Sequence, residues 1–201
     1  MGPGFFRSYH LGWTRADALT LLADLEAAGL RIAHPVTGRV LLDSHDPSSP
    51  QGTGGTRSVV TREQFLSLSG LERLHAVGVR LWVRPDLDVL MRIRRAGNRA
   101  VAVEFGLGGL PVPERERAVR AIRLTVGRAS VLCIGFVLDR TGVSTGADWD
   151  GLVVAGTALL DGWPDAVAVR EDIAARHPQL AALDSVDRSP WRVFGSAALS
   201  V

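Results

Sequence analysis

Lysine is missing altogether: all 23 basic side chains of the 201-residue chain are Arg. Chemistries that need a side-chain amine are therefore closed to it, among them the phosphate-gripping Lys of a P-loop, Schiff-base formation and a Ser-Lys dyad. Arg-only cations beside many Ala, Gly, Val and Leu also suit a GC-rich bacterial genome, so codon usage accounts for the bias as readily as function does. Cysteine is nearly missing, with Cys133 alone in an apolar run that reads as a buried strand. No internal disulfide and no Cys-rich zinc site can form, and nothing calls for an oxidising compartment.

Long hydrophobic runs are absent as well. None approaches the ~20 residues of a membrane-spanning helix, and the first residues lack the basic and apolar segments of a secretory signal. The expectation is a cytoplasmic chain without membrane contact. Net charge is small, since 23 Arg against 21 acids leave +2. The pI of about 9.4 arises because guanidinium groups do not titrate, so neutrality waits for the terminal amine, Cys133 and Tyr9. A dedicated nucleic-acid binder would carry a large uncompensated basic surface, which argues against nucleic acid as the partner.

Catalytic signatures are wanting too: there is no Gly-x-Ser-x-Gly elbow and no His-Glu-x-x-His. The Gly-rich stretch Gly106-Leu107-Gly108-Gly109 departs from the dinucleotide pattern, Pro113 removes a backbone donor, and Glu114 and Glu116 would repel a phosphate. No cofactor is expected.

What is present reads as an α+β chain. Thr14 and Asp17 resemble a capping box that opens a helix to residue 28, with Leu21, Leu22 and Leu25 on one stripe. Residues 39–43 read as a strand, and 44–58 as a flexible loop rich in Ser, Pro and Gly. Thr61 and Gln64 open a second helix, carried on to about residue 76. Strands follow over 79–83, 88–94 and 100–105, the last two a hairpin across Ala96-Gly97-Asn98. Residues 113–126 form the clearest helix, and 131–138 an apolar strand. Residues 152–160 suit helix or strand, and a helix is expected from Pro164-Asp165 to His177. The whole is expected to be a single domain, 1–201, with an antiparallel or mixed sheet and helices packed mainly on one face.

Charge is segregated along the chain. Residues 73–128 carry +7 and residues 129–187 carry −6. Two outcomes are open: opposite patches that attract a charged partner, or segments that neutralise one another internally. The binding candidates are Arg92, Arg94 and Arg95 on the basic side, with Asp148, Trp149, Asp150 and Trp163 on the acidic side. Asp43, His45 and Asp46 offer oxygen and nitrogen ligands for a metal, at a spacing that also suits a turn. The leading expectation is a non-enzymatic protein-interaction domain of the inhibitor, immunity or accessory kind. The alternatives are a small metal-dependent hydrolase using an Asp/His cluster, or an Arg-mediated nucleic-acid binder.

Overall fold

The computed structural model describes residues 3–44, 56–67, 77–128, 132–160 and 162–195. Among these residues ten strands pair antiparallel: β1 (Phe5–Leu11), β2 (Val40–Ser44), β3 (Thr56–Val60), β4 (Val77–Arg84), β5 (Leu87–Ala96), β6 (Ala100–Gly106), β7 (Cys133–Asp139), β8 (Ala166–Arg170), β9 (Ser185–Arg188) and β10 (Trp191–Gly195). They form one sheet in the order β3-β2-β4-β5-β6-β1-β7-β8-β10-β9. The helices are α1 (Arg15–Ala27), α2 (Arg62–Ser67), α3 (Val112–Arg128), α4 (Glu171–Arg176) and α5 (Pro178–Ala181), with a π-helical turn at Gly151–Ala155.

Local chemistry sets several boundaries. Thr14 closes a reciprocal capping box with Asp17, and Thr61 and Gln64 do the same for α2 at 2.8 and 3.1 Å. The hairpin β5–β6 turns at Gly97, whose φ of +66° suits a residue without a Cβ. The loop expected over 44–58 is shorter than its composition suggests, because Thr56–Val60 pairs with β2 from Val40↔Val60 to Ser44↔Thr56. The continuation of the second helix beyond Ser67 lies outside the described residues.

Strand side chains alternate between two faces, and each face has its own core. Phe6, Met91, Ile93, Val103, Phe105, Phe136 and Leu138 meet Leu21, Leu22 and Leu25 of α1 and Val119, Ile122 and Val126 of α3. On the other face, Phe5, Tyr9, Ala102, Val137, Val167 and Val169 meet Trp149, Leu152, Val153, Ile173, Ala174 and Leu180. The helices thus divide between two clusters instead of gathering mainly on one face. Covered on both sides, β7 is buried at every position, which is why it reads as an unbroken apolar run.

The helix expected over 164–177 begins later than the sequence suggests. Ala166–Arg170 is a strand whose Ala side chains serve one core and whose Val side chains serve the other, and only Glu171–Arg176 is helical. Residues 152–160 are neither a helix nor a strand throughout, since a π-helical turn ends at the left-handed Gly156. This turn presses on β7 at Gly135. A Cβ there would lie 2.4 Å from the Ala168 carbonyl oxygen and 2.8 Å from Val153 Cγ1. Gly135→Ala is expected to cost about 2 kcal/mol through overpacking, read from the urea midpoint. A shift under ~0.5 kcal/mol would show that β8 and the turn can yield.

Candidate functional site

Among the described residues the second face is covered only in part. The π-helical turn and α4 lie over the β1, β7 and β8 side, while the half made by β2 to β6 carries polar side chains. Register lines up Arg57, Asp43, Gly78, Arg92, Glu104 and Arg7 across six neighbouring strands. Acids and bases in and beside this row are tied together in two groups.

In the first group Arg80 donates from Nε and Nη2 to Asp43 at 2.9 and 2.7 Å, and from Nη1 to Asp88 at 2.9 Å. Arg57 adds a second cation at 3.2 Å from Asp43. Burial works to raise the Asp43 carboxyl, but Arg80 and Arg57 outweigh it and hold the group below its ordinary range. In the second group Arg94 grips Asp150 with both terminal nitrogens, the longer contact 2.7 Å, and Glu104 with Nε at 2.7 Å. Arg7 Nε lies 2.8 Å from Glu104, and the fully buried Tyr9 donates its hydroxyl to Asp150 at 2.9 Å. Burial opposes ionisation of Asp150, yet Arg94, Tyr9 and Arg7 hold the carboxyl low. The hydrogen bond to Asp150 leads in raising Arg94, while burial raises Tyr9.

The sequence candidates therefore part company. Arg94 and Asp150 meet, from segments of opposite charge, and neutralise each other. Arg92 stands in the same row, but Arg95 lies on the opposite face beside Val101, because one residue's step along a strand reverses the side chain. Trp149 is no binding platform: it is wholly buried, with its Nε1 donating to the Ser144 carbonyl at 3.0 Å. Asp148 caps the π-helical turn by accepting from Gly151 N–H at 2.9 Å. Trp163 is 40% exposed, on a loop. His45 and Asp46 lie outside the described residues, and Asp43, their neighbour, is committed to two Arg. Asp139 is spent on its own loop, accepting from Thr141, Gly142 and Ser144. Among the described residues, no three His, Cys, Asp or Glu converge as metal ligands.

No protein family, curated protein or solved structure matches the chain. Pro3, Arg80, Asp88, Leu90, Gly106, Gly108 and Gly109 line an open depression of about 500 Å³ on the uncovered half-face. Its one guanidinium is already held by two carboxylates, so it offers no spare cation to a phosphate.

Two features escaped sequence reasoning. Ser8 and His10 share a strand face two residues apart, and Ser8 Oγ lies 2.9 Å from His10 Nε2, the spacing of a nucleophile and its base. Both are completely buried, and His10 Nδ1 has no hydrogen-bond partner among the described residues, so no described carboxylate orients the ring and the pair is sealed from substrate. The other feature is the outer side of α3. Pro113, Arg117, Arg120, Leu124 and Arg128 are all exposed there, at helical spacing. Neither Arg117 nor Arg120 pairs with any described residue, Arg128 only approaches Asp24 at 3.8 Å, and Leu124 is 57% exposed among them. Arg123 lies beside this surface, its charged state disfavoured by burial and by Arg140 and Arg188. Its signal was in the sequence all along, as the polar stripe opposite Val119, Ile122 and Val126.

The charge segregation acquires a spatial meaning. The basic stripe of α3 lies on the first face, whereas Asp148, Glu171 and Asp172 are exposed on the layer that covers the second. The two signs meet in pairs such as Arg94 with Asp150, and Arg140 with Glu116 at 2.7 Å.

Proposed function

We propose that the chain is a non-enzymatic protein-interaction domain, of the inhibitor, immunity or accessory kind, that docks an acidic protein surface on the outer side of α3. The observation that carries this reading is the exposed stripe of Arg117, Arg120 and Arg128 around Leu124, with so few acids to answer it. An exposed aliphatic residue ringed by guanidinium groups suits a contact with an apolar centre and a charged rim. The Arg expected to face the partner from the β5–β6 hairpin contribute less, because Arg94 is engaged by Asp150 and Glu104. The domain is proposed to work in the cytoplasm as one unit, without cofactor, membrane or nucleic acid.

The test is to isolate a complex from the native host, purify the partner, and measure its binding to wild type and to R117E/R120E at two salt concentrations. The double reversal is expected to weaken binding by roughly 10- to 100-fold, with most of the loss in the association rate. Unchanged affinity would sink this placement. A partner that proves to be nucleic acid, with affinity falling steeply in salt, would replace the reading with the Arg-mediated alternative.

A further inference from the structure

We propose that the segment docking on the outer side of α3 is an acidic amphipathic helix of the partner protein, laid along the seam between α1 and α3. The placement rests on the α3 reading and extends the surface onto α1. The two helices lie against one another on the first face: their apolar stripes share one core, and Arg128 approaches Asp24 at 3.8 Å. Opposite Leu21, Leu22 and Leu25, the outward line of α1 is Ala16, Thr20, Ala23 and Ala27, all exposed. The solvent side of a surface helix ordinarily carries charge, and this line carries none. A helix without charge on either stripe matches cover on both sides.

The neighbouring line on α3 is Arg117, Arg120, Leu124 and Gly127, also exposed. Both lines advance in steps of four and three residues, the spacing at which helices interlock with axes about 20° apart. The small side chains of α1 leave room for a third helix at the ~8–10 Å separation of packed axes. So does Gly127, where an added Cβ would meet nothing within 4 Å. Arg117 and Arg120 pair with no described residue, so the flank of the docked helix above α3 is acidic. Leu124, Ala23 and Ala27 call for an apolar flank above the seam.

The probe is a synthetic, fluorescein-labelled peptide with Leu at heptad a and d positions and Glu along one flank. Its binding to the full chain is followed by anisotropy and circular dichroism, and binding with a gain of helix signal is the expected result. Replacing its Glu with Lys, or inserting a central Pro at unchanged charge, should each weaken binding at least about tenfold. In the chain, Ala23→Gln with Ala27→Gln adds bulk without charge and should cost about tenfold, whereas Ala23→Ser with Ala27→Ser should cost less than about twofold. R117E/R120E should cost about tenfold or more. Circular dichroism of each unbound variant confirms that it is folded. A wild type that does not bind the probe overturns the proposal, as does a Pro-broken probe that binds as well as the helix. Loss on R117E/R120E with none on the Gln pair overturns the seam while the α3 reading stands. Loss on the Gln pair with none on R117E/R120E overturns both.

Discussion

Asp150→Ala is expected to destabilise the chain by about 3 kcal/mol, one of the largest effects of any single polar truncation here. The carboxylate holds both terminal nitrogens of Arg94, accepts from the buried Tyr9 hydroxyl and stands at the start of the π-helical turn. Its removal leaves a guanidinium with one acid in place of two, and a phenol buried without an acceptor. Breaking a buried pair from one side costs ~3–5 kcal/mol, and the partial exposure of both side chains sets this case at the lower end. Urea denaturation reads the loss directly. Asp150→Leu combined with Arg94→Leu should recover much of it, since an apolar replacement leaves no orphaned charge. A single-variant loss below ~1 kcal/mol would show that the contact belongs to the solvated surface and not to the fold.

Stability is also expected to fall by about 3 kcal/mol as the pH drops from 6.5 to 4, through His10 alone. Burial pushes the His10 imidazole from its ordinary 6.5 down to about 4, and the Asp17 carboxylate offsets only part of that. The folded state thus resists a proton that the unfolded chain accepts. This contribution is intact above pH 6.5, shrinks at ~1.4 kcal/mol per pH unit below it, and is fully lost near pH 4. His10→Gln can keep the Ser8 hydrogen bond while removing the titration, and its stability should be flatter across that window. Asp43, Asp139 and Asp150 also favour the folded state when ionised, but their carboxyls lie below 3.8, so their losses come at lower pH. Parallel curves for wild type and His10→Gln would assign the acid sensitivity to another group.

Elements whose two faces meet different surroundings were legible in the sequence. In α1 and α3 one side is core and the other solvent, so their apolar residues recur at helical spacing, and the caps at Thr14 and Thr61 mark the starts of α1 and α2. The β5–β6 hairpin alternates Met91 and Ile93 with Arg92 and Arg94 for the same reason. Strands covered on both faces gave no such pattern. Strand β1 mixes Phe5, Phe6 and Tyr9 with Arg7, Ser8 and His10, because each polar side chain has a specific partner that only tertiary structure supplies. In β8 Ala and Val serve two different cores, and the short run reads equally well as a helix.

The site shows a similar divide. Alternation already placed Arg92 and Arg94 on one face, and by the same rule Arg95 on the other. The choice between outward patches and internal neutralisation was not readable, since Arg94 reaches Asp150 across 56 residues. Trp149 looked like a platform beside acids, but its burial depends on the Ser144 carbonyl and on a core assembled from distant strands.

The position of β1 has a consequence for the order of events during synthesis. It precedes the other described strands in the chain, yet it lies between β6 and β7, whose pairing residues follow roughly 100 and 130 positions later. The centre of the sheet must stay open until more than half of the chain has left the ribosome, while β4, β5 and β6 can already zip into a meander by local turns. Refolding should accordingly be slow for a chain of this size, limited by the return of Phe6 to Phe105 and Phe136. Until then β1 is an unpaired aromatic strand, and β6 has no partner beyond the meander.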